Sequence, residues 1–460
     1  MTSTLDQVLP CPVLRPGDAG FAEEVTGFNL AHPHEPDVVV AACDAEDVAT
    51  AVRWAAAQGM PIAVQATGHG ADDAMDGGLL ISTRRMNEVH VDPRNRTATV
   101  GAGATWRDVL SAAAPHGLGG LCGSSTGVGV VGFTVGGGLP VLGRAYGWAA
   151  DRVLGMQVVT ADGVVRHVDA GTEPDLFWAL RGGKGNVGIV TSLTVELLPL
   201  DRIYAGSIFF DGAHAPDLLS AYAGWTATLP DGMCTALQLL RLPPFPDIPE
   251  PLRGRFTVQL CIAWPGDPAE GARLLAPLRA VAPTIVDLVG ELPYPELDRV
   301  FQDPQHPVPA AEGCLLLPAL PEGAVGTLLE LAGPTAQSPL LLVALRHLGG
   351  ALSGPPAVDD AVGARDAAYL LQTVGILAGP HAADVPAATA AVRTAMEPWS
   401  TGRTFVNLHG TPGDDRDRAR AWPAPTYERL RRVKHRYDPA ELFRFGHAVS
   451  PLTDGEVALS

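Results

Sequence analysis

The stretch Pro61-Ile-Ala-Val-Gln-Ala-Thr-Gly-His-Gly70 runs from a β-like segment straight into a tight glycine turn that carries one histidine. Successive backbone N–H groups in such a turn point the same way and form a concave anion site suited to a pyrophosphate. Gly68 and Gly70 leave room for a ligand to approach, and His69 is the first candidate for chemistry. The competing reading of so short a motif is a surface turn with a chance histidine.

A second glycine pattern points elsewhere. Gly127-Val-Gly129-Val-Val-Gly132 matches the G-x-G-x-x-G dinucleotide fingerprint, and Asp151 follows at about the distance of a ribose-binding acid. The fingerprint must follow a hydrophobic strand and open a helix. Here Leu121-Cys-Gly-Ser-Ser-Thr precedes it, and Gly136-Gly-Gly-Leu-Pro140 would break the helix. An NAD-dependent dehydrogenase is therefore the weaker reading. Glycine lets main chain lie directly on a ring system, so this stretch reads better as a backbone-dense wall against a flat ligand.

The elements that must position these residues follow from periodicity. Pro36 to Val40 reads as a short buried strand, and Asp44-Ala-Glu-Asp-Val starts a helix with acid in its first turn. Val48, Ala51, Val52 and Ala55 recur at helical spacing, and Gly59 with Pro61 ends the helix before a strand at Ile62 to Val64. Gly78 to Thr83, His90-Val-Asp-Pro and Thr97 to Gly101 suggest a short-stranded sheet, and Trp106 to Ala113 a helix. Beyond residue 200, Ser207-Ile-Phe-Phe, Cys234 to Leu240, Phe256 to Trp264 and Leu340 to His347 read as strands, with an Ala-rich helix at Pro268 to Val281. That pattern predicts a substrate domain with a mainly antiparallel sheet. Its loops include the proline-rich joints at residues 242–251 and 306–309.

Bulk properties exclude several classes. A chain of 460 residues with 47% hydrophobic and 18% charged residues has ample material for two or three cores. Its formal charge of -18 would repel phosphate backbones and anionic membranes, so neither nucleic acid nor a membrane surface is an expected partner. The six cysteines form no C-x-x-C pair, so no metal site is expected and a reducing compartment fits. The amino-terminal residues lack a basic region followed by an apolar core, and the default location is cytoplasmic. From Val109 to Gly143 there is no Asp, Glu, Lys or Arg, but its glycines each cost a helix about 1 kcal/mol, which favours a buried glycine-packed loop system over a membrane span.

Four motifs in order carry a resemblance. They are the Pro-x-x-Val-x-x-x-Gly-His loop ending at His69, Val128-Gly-Val-Val-Gly-Phe-Thr-Val-Gly-Gly-Gly138, Trp178-Ala-Leu-Arg-Gly-Gly-x-Gly-Asn186 and Tyr437-Asp-Pro439. Together the chain resembles the berberine-bridge-enzyme-like FAD-linked oxidases of the vanillyl-alcohol-oxidase/PCMH superfamily. The resemblance implies an α+β fold: a PCMH-type, two-subdomain FAD-binding domain over residues 1–200, a substrate domain over 201–400 whose antiparallel sheet is covered by helices, and a segment from 401 to 460 that returns to the FAD-binding domain. It implies an oxidase that moves a hydride from a small or medium organic substrate, such as an alcohol or a secondary-metabolite intermediate, to FAD, with O2 as acceptor. A ligand-binding or resistance flavoprotein of the same fold is the alternative. His69 would be the single covalent attachment, because Ser125 stands where some members carry a second, cysteinyl link. Val128 matches a position that admits or blocks O2. The implied cofactor contacts are Gln65, Ala66, Thr67, Gly68, Gly70, Ser125, Val128, Gly129, Gly132, Gly138, Asn186, Gly188, Val190, Asn407 and His447.

The chain departs from the family where proton transfer is expected. Phe405-Val-Asn-Leu408 replaces Tyr-x-Asn-Tyr, and Leu408 cannot take a proton. His447 in Phe445-Gly-His-Ala-Val stands where an amide is usual. The base must then come from Tyr369, His347 or His409. For Tyr369, a neighbouring cation such as Arg346 or His347 would have to lower the phenol pKa. The basic run of the helix from Tyr427 to Tyr437 reads as a solvated face.

Overall fold

Leu79–Ser82 is buried at all 4 of its residues, and a run that is apolar on both faces belongs in the middle of a parallel sheet. In the computed structural model, which describes residues 5–457, this strand lies between Val38–Ala41 and Ile62–Gln65 and runs parallel to both. Val13–Leu14 adds a short antiparallel edge. The expected grouping of this strand with the two that follow it is thus corrected: Val89–Asp92 and Thr97–Gly101 pair in a different sheet. Between the first two parallel strands of the chain runs the helix Ala45–Ala57, which buries Val48, Ala51, Val52 and Ala55. Its cap is the Asp44 side chain, which accepts from the backbone N–H groups of Glu46 and Asp47 at 2.9 Å each, an arrangement worth about 1 kcal/mol.

The second sheet is antiparallel throughout, in the order Val89–Asp92, Thr97–Gly101, Ile189–Glu196, Val153–Val159, Val165–Val168. Helix Trp106–Ala113 opens with a reciprocal capping box between Thr105 and Asp108. Within the uncharged stretch, the expected glycine-packed loop system also contains a short helix. Val130–Val135 forms a six-residue helix that starts after Gly129 and stops at Gly136. The glycines limit its length rather than forbid it. No strand leads directly into Gly127, and Asp151 holds the fold together by accepting from the Trp148 backbone N–H at 2.8 Å and from the Arg365 guanidinium. Among the described residues no helix is long and apolar enough to cross a membrane.

The third sheet is also antiparallel. Its path runs Thr284–Asp287, Arg202–Asp211, Phe256–Trp264, Cys234–Arg241, Leu342–His347, Tyr369–Ile376, Ala310–Leu317, with Gly290–Pro293 also paired to Arg202–Asp211. Leu237, Leu260, Leu345 and Leu371 pack on one face against Leu218, Leu275, Leu328 and Val392, which come from helices Ala215–Thr226, Pro268–Arg279, Glu322–Ala332 and Val385–Met396. The architecture is α+β.

The helix Ala424–Tyr437 brings the chain back against Pro174–Ala179. Its basic run is only partly a solvated face. Arg429, Arg431 and Arg436 make surface ion pairs, but Lys434 is fully buried and donates to the Asn186 carbonyl at 2.8 Å, the Phe443 carbonyl at 2.7 Å and the Asp438 carboxylate at 2.6 Å. Asp438, also fully buried, accepts in addition from the backbone N–H groups of Leu442 and Phe443. Every ammonium proton has an acceptor. Because removing one member of a buried pair leaves an uncompensated charge, Lys434→Met should destabilise the protein by about 3–5 kcal/mol. Arg432→Met, on the exposed side of the same helix, should change stability by no more than about 0.5 kcal/mol. Equal thermal midpoints for the two variants would remove the pair from its structural role.

Candidate active site

Strand Ile62–Gln65 ends at the carboxyl edge of the parallel sheet, the edge at which open α/β sheets bind ligands. The turn after it can be built only on glycine. Gly68 has φ +71°, and a Cβ there would lie 2.5 Å from the Gly27 Cα. That close approach lets the Phe28 N–H donate to the Thr67 carbonyl at 2.9 Å and lays the Phe28 ring on the His69 imidazole, with centroids 3.9 Å apart and planes 13° from parallel. The Thr67 hydroxyl sits 2.9 Å from His69 Nδ1, while Nε2 is buried with no partner. Burial lowers the His69 pKa to about 4. At neutral pH the ring is uncharged and keeps a nitrogen lone pair available.

Opposite this turn, residues 123–135 form the expected main-chain wall, positioned by the bridge between Thr105 and Gly129. At Gly136 a Cβ would stand 1.9 Å from Asn407 Oδ1, so the glycine makes room for the Asn407 amide, whose nitrogen donates to the Phe133 carbonyl at 2.8 Å. Asn186 fastens the far end. Its nitrogen donates to the carbonyls of Gly183 and His447, and its oxygen accepts from the Val449 N–H at 2.7 Å. Between turn and wall lies a cleft of about 410 Å³. Gln65, Ala66, Thr67, Gly68, His69, Gly70, Ser125, Val128, Gly129, Gly132, Asn186, Gly188, Val190, Asn407 and His447 all line it. Gly138 does not. It has φ +63° and packs behind the wall, where a Cβ would come within 2.5 Å of the Phe133 ring.

The three expected proton acceptors are not at the cleft. Side chains alternate across a strand, and Tyr369 falls on the helix-covered face, where its hydroxyl lies 2.6 Å from Thr226 Oγ1 and burial raises its pKa. His347 stacks on Tyr369 at 5.3 Å and receives a hydrogen bond from Arg144 at 3.1 Å. Burial, followed by the Arg144 charge, lowers its pKa to about 3. It borders a separate cavity of about 30 Å³. His409 lies behind His447, ring edge to ring face at 4.6 Å, with Nδ1 2.7 Å from the Thr404 hydroxyl and Nε2 3.1 Å from Asp417. Arg346 projects from the face opposite to Tyr369, so it cannot tune that phenol.

The sheet face turned to the cleft carries other groups. In register, Gln372 pairs with Ala344 on one side and Cys314 on the other, which places Arg346, Gln372 and Glu312 on a diagonal of one face. Arg346 Nε donates to Gln372 Oε1 at 3.2 Å, and Gln372 Nε2 donates to Glu312 Oε2 at 3.2 Å. Burial, reinforced by the negative charge of Asp72, raises the Glu312 pKa to about 7. Asp72 also stands 3.3 Å from His447 Nδ1, and burial still lowers the His447 pKa. Lys184 lines the same cleft. Sequence reading passed over Glu312, Gln372, Asp72 and Lys184, although Glu312 is the only charged residue in the strand Ala310–Leu317.

Several buried polar atoms here lack a hydrogen-bond partner in the protein: Gln65 Oε1, His69 Nε2, Asn407 Oδ1 and His447 Nε2. Each such atom costs about 1–3 kcal/mol when left unpaired. A flat, polar-edged ligand with a pyrophosphate would satisfy this cleft, and the FAD implied by the resemblance fits it.

Comparisons with known proteins agree. A family model described as "FAD binding domain" matches residues 36–169, and one described as "Berberine and berberine like" matches residues 418–450. The (R)-6-hydroxynicotine oxidase of Paenarthrobacter nicotinovorans is 32% identical over 62% of this chain, which spans 61% of that protein. An uncharacterised FAD-linked oxidoreductase of Bacillus subtilis (strain 168) is 28% identical over 95% of this chain and 98% of its own. Two solved structures share the fold. They are 6-hydroxy-D-nicotine oxidase from Arthrobacter nicotinovorans, with a TM-score of 0.83 at 24% identity over 98% of this chain and 100% of the other, and a xylooligosaccharide oxidase from Myceliophthora thermophila, with 0.86 at 22% over 98% and 100%. One model covers the histidine turn and the wall, the other the helix pinned across them, so the chain carries an FAD-binding segment and a berberine-like segment and is similar across its length to FAD-linked oxidoreductases.

Proposed function

We propose that this chain is an FAD-dependent oxidase that removes a hydride from a small or medium organic substrate bearing a hydroxyl group, with Glu312 as the base. The observation that carries this reading is a carboxyl group poised near neutrality on the sheet face that closes the cleft. Oxidising an alcohol leaves a proton on oxygen that a positioned base must accept, a service worth roughly 10²–10⁴-fold in rate. Leu408 and Phe405 line the cleft where the family's tyrosines stand and cannot perform it. Glu312 can, and Gln372 fixes its orientation through the bond to Oε2. Bound FAD supplies the two-electron acceptor for the hydride and the route by which those electrons reach O2.

His69 would hold the cofactor through Nε2, the nitrogen that the Thr67 hydroxyl leaves free. Its neutrality supports this role, since a protonated ring has no lone pair to bond with. One tether is expected. Among the described residues no cysteine lines the cleft, and the nearby Cys122 points its thiol at the carbonyls of Gly123 and Ser125, with burial raising its pKa well above the usual thiol range. The expected organic substrate belongs to a tailoring oxidation of the kind common in bacterial secondary metabolism.

Three measurements test the reading. Intact-mass analysis should find one FAD covalently attached in the wild-type protein and the bare polypeptide mass in His69→Ala; an adduct that persists in the variant would refute the tether. Photoreduced protein mixed with O2 should reoxidise faster than free reduced flavin, and Val128→Leu should slow it, because Val128 lines the cleft beside the wall. The base carries the pH dependence. A group whose pKa is raised to about 7 is protonated below that value and able to accept a proton above it, so the rate of flavin reduction should climb as pH rises through about 7 and then level off. Glu312→Gln should flatten the profile and cost roughly 10²-fold or more; a variant retaining both rate and profile would remove Glu312 from the mechanism.

A further inference from the structure

Arg346 is placed as a recognition group. Its guanidinium lies over the Phe301 ring at 4.6 Å, and Nε is tied to Gln372. Among the described residues, neither terminal nitrogen has a hydrogen-bond or ion-pair partner. Burial lowers its pKa, and Asp303, the acid that most opposes this shift, is not within ion-pair distance. An arginine cannot shed its proton at physiological pH, so a permanent cation, stacked on one face and held at one edge, stands at the border both of the cleft and of the cavity of about 30 Å³, with its two terminal nitrogens unclaimed. That planar fork matches a carboxylate, which can accept from both nitrogens at once.

We infer that the substrate is a carboxylic acid whose carboxylate docks on Arg346 while its oxidisable C–OH group lies at Glu312. The two ends are set apart by one side chain: the Gln372 amide touches Arg346 with its oxygen and Glu312 with its nitrogen. This spacing also keeps the substrate anion away from the acid that must take the proton. Leu139, Phe405 and Leu408 supply the apolar lining for the carbon skeleton between the ends.

The inference rests on the oxidase reading only for the identity of the reacting end, so its test uses binding rather than turnover. Isothermal titration calorimetry of the flavin-loaded protein would compare para-(hydroxymethyl)benzoate with its neutral, size-matched amide, para-(hydroxymethyl)benzamide. A charge-assisted bond of this kind should favour the carboxylate by about 10- to 100-fold. Arg346→Met should erase that preference while leaving amide binding and the flavin spectrum as they were. Arg346→Lys, which keeps the charge but not the fork, should retain part of it. Equal affinities for the two probes, binding of neither, or a preference that survives Arg346→Met would each overturn the inference. A protein that prefers the carboxylate yet never reduces its flavin with it would count against the oxidase reading and leave the anion site standing.

Discussion

The cleft depends on a buried ion pair that forms no part of its surface. Lys434 and Asp438 are one helical turn apart and fully buried, and between them they fasten two stretches of backbone to the helix: Asn186 at the mouth of the second sheet, and Leu442 with Phe443 in the returning segment. Buried charges of this kind contribute little net stability compared with an apolar pair, but they penalise any arrangement that separates them. Here the penalty enforces register. His447 reaches the cleft because the segment that carries it is held at Phe443 on one side and at Val449 on the other, the second contact made by the Asn186 side chain. The Tyr-Asp-Pro motif is thus a fastening before it is anything else.

How much of this was legible in the sequence differs between the two halves. In the flavin-binding half, glycines and capping residues act locally, so Asp44, Thr105 and the Gly68 turn can be read from their immediate neighbours. The place of Leu79–Ser82 was missed because strand order is a long-range property. Its apolar run was visible, but nothing in the adjacent residues says that its partners are Val38–Ala41 and Ile62–Gln65. In the half that carries the third sheet the error was one of parity. Tyr369 and Gln372 share a strand, and an odd step separates the helix-covered face from the cleft. A phenol attracted attention, whereas the amide three residues on is the one on the cleft side, bonded to Arg346 and Glu312. A charged residue inside an apolar strand, as Glu312 is, would have been the better signal, because burial of such a group without a purpose is disfavoured.

One physical cause, loss of solvent, sets two opposite protonation states in the same cleft. Desolvation disfavours whichever form carries charge. It lowers the His69 pKa to about 4 and keeps that ring neutral, and it raises the Glu312 pKa to about 7 and keeps that carboxyl near the midpoint of its titration. The shift at Glu312 stops short of full neutralisation because the Gln372 hydrogen bond and the charges of Lys184 and Arg346 favour the ionised form. A neutral ring nitrogen and a carboxyl near the midpoint of its titration can therefore coexist at one pH.

The altered Phe405-Val-Asn-Leu408 segment then makes physical sense as a division of labour. Asn407 is retained because the fold needs it: its amide occupies the gap that Gly136 leaves and binds the carbonyl of Phe133, so it joins the returning chain to the glycine wall. The two tyrosine positions have no such duty. Phe405 packs against Trp148 at 5.1 Å and extends the apolar core, and Leu408 faces the cleft as hydrocarbon. With proton transfer assigned to the sheet, this rim can be apolar, and an apolar rim strengthens the electrostatics behind it by excluding water. The hydrocarbon at position 408 and the raised pKa of Glu312 are in that sense consistent, since a hydroxyl there would bring a polar group to the cleft in which burial raises the acid's pKa.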